Sequence, residues 1–469
     1  MLNCSHGRLT HQVESLRLRF AQTPGLPFAE VLATEQVRQV LEQEHVQWRD
    51  SVYTPLVTTR LLLSQAVDAD PSCQQAVDRL LAERAAQGAP AISANNGAYC
   101  QARLRLPEGV LQRLTRHVGQ ELLAEAPVRW LWKGRDVKVA DGTTVSMPAT
   151  AANQEAYPQP KSQKQGVGFP LLRLVVLFSL AVGTVLEAAL GRYQGPETGE
   201  TALFRTMHDS LFEDDVVLAD RYFCSYVEIA LLQERHVDVV FRLHQRRRAD
   251  FRRGRRLGRD DHVVVWHKPV ARPAWLDEDS YRRLPETLTL REVRVRVTQA
   301  GFRSQSMVVV TTLLDAELYG SADLTDLYRA RWQAELNLRS LKAVMGMKVL
   351  RANTPAMVRK ELWAHLLAYN LLRTVMAQAA LEHGLQPQDI SFKGALQTVN
   401  SFAPHLLTAE PSALADLSRR LLVAIAQNRV GQRPNRYEPR KQRRRPQSYP
   451  FLNETRAEAR ARLATRVCA

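Results

Sequence analysis

The stretch from Asp323 to Gly346, DLTDLYRARWQAELNLRSLKAVMG, restricts this chain more than any other. Its spacing predicts one helix, with Asp323 as N-cap, Asp326 adding negative charge to the first turn and Gly346 supplying the stop. At about 100° per residue, Tyr328, Arg331, Glu335 and Lys342 fall within roughly 60° of one another, and Arg339 joins the same face. A carboxylate ringed by three cations and a phenol faces something other than a greasy core. Ion pairs on a solvated helix contribute only about 0.2–0.5 kcal/mol each, so stability alone gives little reason for the arrangement.

The rest of the composition says what that face could meet. Lys and Arg total 64 against 48 Asp and Glu, a net charge of +16, which points to a polyanionic partner, nucleic acid before membrane. A length of 469 residues with 45% hydrophobic side chains implies two to four structural units with ample core. The five cysteines, Cys4, Cys73, Cys100, Cys224 and Cys468, are widely spaced with no Cys-x-x-Cys pair; that argues against a disulfide framework or zinc ribbon and fits a reducing cytoplasm. The N-terminus carries no apolar run, so no signal peptide is expected. The greasiest segment, Leu171 to Leu190, is interrupted by Arg173, Gly183, Thr184 and Glu187, the pattern of two buried strands rather than a membrane span. The 12 histidines show no metal-binding spacing.

Along the chain, Phe28 to Leu41, Leu56 to Ala66, Cys73 to Ala86 and Gly109 to Leu123 show helical apolar spacing, separated by turn-like stretches at 68–72 and 88–97. A helical cap on the core and a DNA-reading module both fit this region. From Val128 the pattern changes. Val137, Val139 and Val145 alternate around Asp141, a strand with a carboxylate among apolar side chains. An unpaired buried carboxylate is costly, so Asp141 is either metal-bound or a turn residue ahead of Gly142. Leu172 to Ser179 and Val185 to Leu190 read as a hairpin, making three antiparallel strands. Thr198-Gly-Glu-Thr-Ala-Leu opens a helix. Asp215 to Asp220 is a short apolar strand ending in an acid, and functional side chains gather at the carboxyl ends of such strands.

Between Asp220 and Glu335 lie 114 residues, too many for one connection. They are β-rich, with strands expected at Val237 to Leu243, His262 to His267, Thr287 to Val297 and Met307 to Leu314. An arginine run (Arg246, Arg247, Arg248, Arg252, Arg253, Arg255, Arg256, Arg259) must be solvated or bound to phosphates, as on a mobile basic hairpin gripping DNA. Thr354-Pro355 reads as N-cap and N1 of a helix whose burial face is Leu362, Leu366, Tyr369, Leu372 and Met376. A further helix spans about Ala413 to Asn428. A basic tail follows from Arg429 to Arg445, broken by Pro434 and Pro439; it is a DNA clamp or a disordered extension.

Tyr328, Arg331, Glu335 and Lys342 match Tyr-x-x-Arg-x-x-x-Glu-x-x-x-x-x-x-Lys with no spacing error, and the chain thereby resembles insertion-sequence family four, cut-and-paste DDE transposases. ADRYF (Ala219 to Phe223) is similar to the family's second-aspartate segment, and Ser93 to Pro107 to a stretch in relatives. The resemblance implies an α/β fold: a ribonuclease-H-like core with a β-rich insertion domain and an N-terminal helical domain. The implied units are an N-terminal, transposon-end-binding domain (1–127), the first part of the core (128–236), the insertion domain with the arginine run (237–318), the second part of the core (319–385), and a C-terminal helical region with the basic tail (386–469). Asp141, Asp220 and Glu335 are then the catalytic and metal-holding carboxylates for two Mg²⁺ (or Mn²⁺) ions. Tyr328, Arg331, Lys342 and Arg339, with Arg246, Arg247 and Arg248, are expected on DNA. By residue type alone, Trp266 and Trp275 are candidates for stacking on a base flipped from the DNA end, ordinary core being the alternative for each. The reaction implied is nicking, hairpin formation, hairpin opening and strand transfer. It would act on double-stranded DNA, at terminal inverted repeats and target, in a synaptic homodimer in the cytoplasm with no membrane partner. The rival readings are a catalytically silent, domesticated DNA-binding protein or repressor, and a stand-alone structure-specific nuclease on the same fold.

Overall fold

The computed structural model describes residues 6–24, 26–47, 51–296, 306–431 and 451–467. Alternating valines build β1 (Val137–Ser146), which pairs antiparallel with β2 (Leu171–Ser179), and β2 pairs antiparallel with β3 (Val185–Arg192). The chain then crosses over. β4 (Val216–Ala219) runs parallel to β1 along its other edge, and β5 (Asp238–Arg242) runs parallel to β4. β4 is buried along its whole length, as a strand covered on both faces must be, which explains its unbroken apolar run. The order β3-β2-β1-β4-β5 is the ribonuclease-H-like arrangement expected.

Four more strands, β6 (Arg255–Gly258), β7 (Asp261–His267), β8 (Thr287–Arg296) and β9 (Ser306–Thr311), continue the same sheet. The nine strands run β3-β2-β1-β4-β5-β9-β8-β7-β6. β9 joins β5 antiparallel, from Val240↔Thr311 to Arg242↔Val309, so the β-rich segment covers an edge that β5 would otherwise leave open. The expected strands all form, as an extension of the core sheet.

Among the described residues, six helices come first: α1 (His6–Leu18), α2 (Thr34–Gln43), α3 (Pro55–Val67), α4 (Cys73–Ala86), α5 (Gly97–Arg105) and α6 (Glu108–Ala124). The helix expected from Phe28 begins only at Thr34, because Phe28 follows Pro27 and sits at φ 56°, outside helical space. Later come α7 (Ala151–Ala156), α8 (Glu200–Arg205), α9 (Tyr226–Gln233), α10 (Glu278–Arg283), α11 (Ser321–Ala330), α12 (Trp332–Arg339), α13 (Pro355–Glu382), α14 (Phe392–Thr408), α15 (Pro411–Gln427) and α16 (Arg456–Val467).

α13 starts where its sequence says, with Thr354 capping Met357 N and Pro355 in the first turn. A single burial face was expected, yet Leu362 to Ala380 is buried all round. The cause is enclosure: α3, α6, α14 and α15 pack around α13, which also meets β3. Asn370 joins these layers, donating to Thr115 O and Val185 O and accepting from Val185 N, each at 2.8 Å. A Cβ at Gly119 would meet Val185 O at 2.2 Å, so the N-terminal helices lie directly on the core sheet. The basic tail residues from Arg433 to Arg445 lie outside the described residues. Among the described residues, no helix is long and apolar enough to cross a membrane.

Candidate active site

The geometry of β1 and β4 brings two acids together. Their parallel register pairs Val137 with Val216 and Val139 with Leu218. Two residues further on, where β4 has ended, the same register sets Asp141 beside Asp220. Side chains alternate with period two, so both carboxylates leave the sheet on one face, at the carboxyl end of β4.

Glu335 comes from the helical stretch over that face. The stretch is not the single helix its spacing predicts. α11 ends at Ala330, α12 begins at Trp332, and Ser340–Val344 forms a π turn. Arg331 N bonds to Tyr328 O at 3.3 Å and Ala334 N to Arg331 O at 3.0 Å, a tightened turn that sits at the signature arginine. The N-cap is Gly320 rather than Asp323; Asp323 occupies the third position, accepts from Gly320 N at 3.0 Å and pairs with Lys133 at 2.8 Å. Gly346 does end the stretch, at φ +76°.

Two tethers fix α12 over the sheet. Lys342 Nζ donates to Thr143 Oγ1 on β1 at 2.8 Å. Buried Asn337 accepts from Arg373 of α13, whose Nε donates to Tyr369 Oη at 2.9 Å. Neither Asn337 nor Arg373 was singled out from sequence; the only signal is a polar residue within an apolar helical run.

Asp141, Asp220, Arg331, Glu335, Arg339 and Lys342 line one open cleft of ≈ 400 Å³. Burial pushes the Asp141 carboxyl up to about 6; Arg331 and the Gly142 N–H oppose this, while Glu335 and Asp220 add to it. Asp141 Oδ1 accepts only from Gly142 N, at 2.9 Å, and Asp220 Oδ1 only from Tyr222 N, at 2.8 Å, among the described residues. Glu335 Oε1 is held by Arg331 Nη2 at 2.7 Å. Burial works against the Arg331 charge, but Tyr328, Glu335 and Asp141 together outweigh it and raise its pKa. Tyr328 is 6% exposed, and burial pushes its phenol up to about 12. Burial lowers the Lys342 ammonium, helped by Lys348.

Three carboxylates thus share a cleft, yet among the described residues no three acidic, His or Cys side chains draw into an ion-binding cluster. Arg331 occupies the glutamate. The donor set still fits a hard divalent cation: oxygen ligands, two of them carboxylates with one backbone donor each, and one drawn out of water.

The other expected positions are spread more widely. Arg246, Arg247 and Arg248 are exposed in the turn after β5, and the later arginines lead into the β6–β7 hairpin, where Asp250 pairs with Arg252 and Arg253. Trp266 is a core residue, 6% exposed, donating to Glu292 Oε1 at 3.2 Å with Arg247 3.8 Å over its ring. Trp275 is half-buried against the same cluster, with Arg205 3.6 Å over its ring.

A family model described as "Transposase DDE domain" matches residues 132–371. The transposase InsG for insertion sequence element IS4 of Escherichia coli (strain K12) is 27% identical over 365 residues, 75% of this chain and 77% of that protein. The transposase for insertion sequence element IS421 of Escherichia coli is 27% identical over 190 residues, 35% of this chain and 51% of that protein. A solved piggyBac transposase chain from a synaptic complex aligns over 87% of this chain and 85% of its own at 11% identity and a TM-score of 0.41, too distant to carry weight. The chain belongs to the DDE transposases of insertion-sequence family four, enzymes that cleave DNA and transfer strands with divalent metal ions.

Proposed function

We propose that Asp141, Asp220 and Glu335 are the catalytic carboxylates of a cut-and-paste transposase that excises its own element through a DNA hairpin. The observation that carries this reading is the cleft itself, where two strand-borne aspartates and one helix-borne glutamate meet beneath Arg331, Arg339 and Lys342. These carboxylates would hold two Mg²⁺ or Mn²⁺ ions, which when bound activate an attacking oxygen and stabilise a leaving one.

The chain's own residues do the rest. Arg331 offers a planar fork and Lys342 a compact charge to phosphates flanking the scissile bond. Lys342 is braced by Thr143, so its reach is set by β1, the strand that carries Asp141. A phosphate is a second bidentate partner for Arg331 and competes with Glu335 for it, so DNA entry releases the glutamate towards the cleft. Tyr328 supports the guanidinium from below, its ring centroid 5.9 Å from Arg331 Cζ. The exposed arginines at 246–248 grip the duplex outside the cleft. Working on two inverted-repeat ends in the cytoplasm, the protein acts as a synaptic dimer.

The test is direct. Asp141→Asn, Asp220→Asn and Glu335→Gln should each abolish metal-dependent cleavage of the element's end while leaving end binding within a few-fold. Cleavage that persists in any one removes that residue from the site. Wild-type protein that binds ends but never cuts them would instead mark a silent DNA binder.

A further inference from the structure

Directly behind Asp141 lies an acid the signature does not contain. Glu200 is the first residue of α8, and its N-cap is Gly199. A Cβ built on Gly142 would meet Glu200 Cδ at 2.5 Å and Oε1 at 2.7 Å. The Glu200 carboxyl therefore lies in the space that any other residue at 142 would fill, against the backbone of the residue following Asp141. α8 packs on β1, β2 and β3, so this placement is set by the fold. Among the described residues the carboxylate receives no hydrogen bond and forms no ion pair, although it is half-buried. Burial, followed by the opposing charge of Arg173 and the like charge of Asp220, sets its electrostatic surroundings. Asp220 is thus its acidic neighbour, while the Asp141 side chain leaves β1 on the face opposite residue 142.

We infer that Glu200 is a positioning residue of the active site, a fourth carboxylate that accepts a hydrogen bond from water bound on the Asp220 side of the cleft, and that position 142 is glycine to admit it. This rests on the assignment of Asp141 and Asp220 as cation ligands. A carboxylate with free acceptor capacity next to such ligands orients ion-bound water, and groups of this kind tune metal affinity and activity. Water is the nucleophile of the first nick and of hairpin opening, whereas the freed 3′-OH is the nucleophile of hairpin formation and strand transfer. Glu200 therefore serves hydrolysis in particular.

The test uses the full-length protein, Mn²⁺ alone as the binding probe, and two DNA substrates: an intact element end and the same end already nicked with a free 3′-OH. In Glu200→Gln, Mn²⁺ binding followed calorimetrically should weaken about 10-fold, the lower end of the effect such groups have. At saturating Mn²⁺, nicking of the intact end should slow by a similar factor, while hairpin formation on the pre-nicked end stays at the wild-type rate. Gly142→Ala keeps every charge but pushes the carboxylate away, so it should reproduce both losses. Adding Gly142→Ala to Glu200→Ala should then cost nothing further. Wild-type Mn²⁺ affinity and nicking in Glu200→Gln would overturn the inference. So would equal slowing of both substrates with Mn²⁺ affinity intact, the result for a merely structural residue. Asp141→Asn, run alongside, should lose both reactions; if it does not, the carboxylate assignment fails on its own account.

Discussion

Asp141→Asn should make the protein more stable while destroying its activity. Burial holds the Asp141 carboxyl at about 6 against an ordinary 3.8, so the folded chain binds this proton more tightly than the unfolded chain does. Below about pH 4 the group is therefore protonated in both states and contributes nothing, between about pH 4 and 6 a penalty on the folded state grows, and above about pH 6 it is complete. The gap between 3.8 and about 6 corresponds to about 3 kcal/mol as a ceiling. Asparagine keeps the shape and an acceptor for the Gly142 N–H without the charge. Urea unfolding of the two proteins in chelator should therefore show the variant ahead by up to about 3 kcal/mol at pH 8, with the lead shrinking to nothing near pH 4. Saturating Mg²⁺ at pH 8 should narrow the lead by stabilising only the wild type. A lead that is absent at pH 8, or is the same at both pH values, would refute the claim that this carboxylate is ionised at a cost in a dry setting.

Arg331→Ala should leave end binding largely intact and depress the steps after nicking; unchanged hairpin yield would contradict the phosphate role given to it. Replacing Arg246, Arg247 and Arg248 together with alanine should lower the slope of log affinity against log salt by about 2–3, close to one for each phosphate no longer neutralised, and an unchanged slope would place these side chains off the DNA. Trp266→Ala should destabilise the fold by about 3–5 kcal/mol in a denaturant titration, because the indole is core. Trp275→Ala should cost less; base unstacking at the element's end, followed with a fluorescent base analogue, tests its stacking role, and wild-type unstacking would end it.

Much of the candidate site was legible because its residues are written in local spacing. Tyr328, Arg331, Glu335 and Lys342 share one helical stretch, so periodicity alone put them on one face. Asp220 showed itself by ending an apolar run, and Asp141 by interrupting one. The strands were read well for the same reason, since alternation and short apolar runs are local. What failed was set at a distance. The break at Arg331 leaves no mark in a sequence that is helix-forming on both sides, and the cap lies at Gly320, with Asp323 third in the helix and paired with Lys133, far away in the chain. Helix α5 lay hidden behind a run of turn-forming residues. Trp266 could be read as core or as a stacking residue, because nothing nearby in sequence reveals Glu292, its partner across β7 and β8. Glu200 read only as part of a helix start and Gly142 only as a turn glycine. Each acquires meaning from the other, and they are brought together by the packing of α8 on β1.

The pairing of Arg331 with Glu335 explains how a cleft can carry three acids without closing on itself. Carboxylates crowded at the end of a sheet repel one another, and Glu335 and Asp220 add to the burial that raises the Asp141 carboxyl. A guanidinium four residues before the glutamate cancels one of those charges locally, at 2.7 Å. That neutralisation is exchangeable, because a phosphodiester presents the same planar pair of oxygens that the glutamate does. The fixed elements are then the two aspartates, set by strand register, and the movable one is the helix-borne glutamate, next to the tightened turn at Arg331. On the proposed assignment, a site built this way would stay quiet until DNA takes the arginine, so the residue proposed to bind the phosphate would also keep the third carboxylate from acting without it.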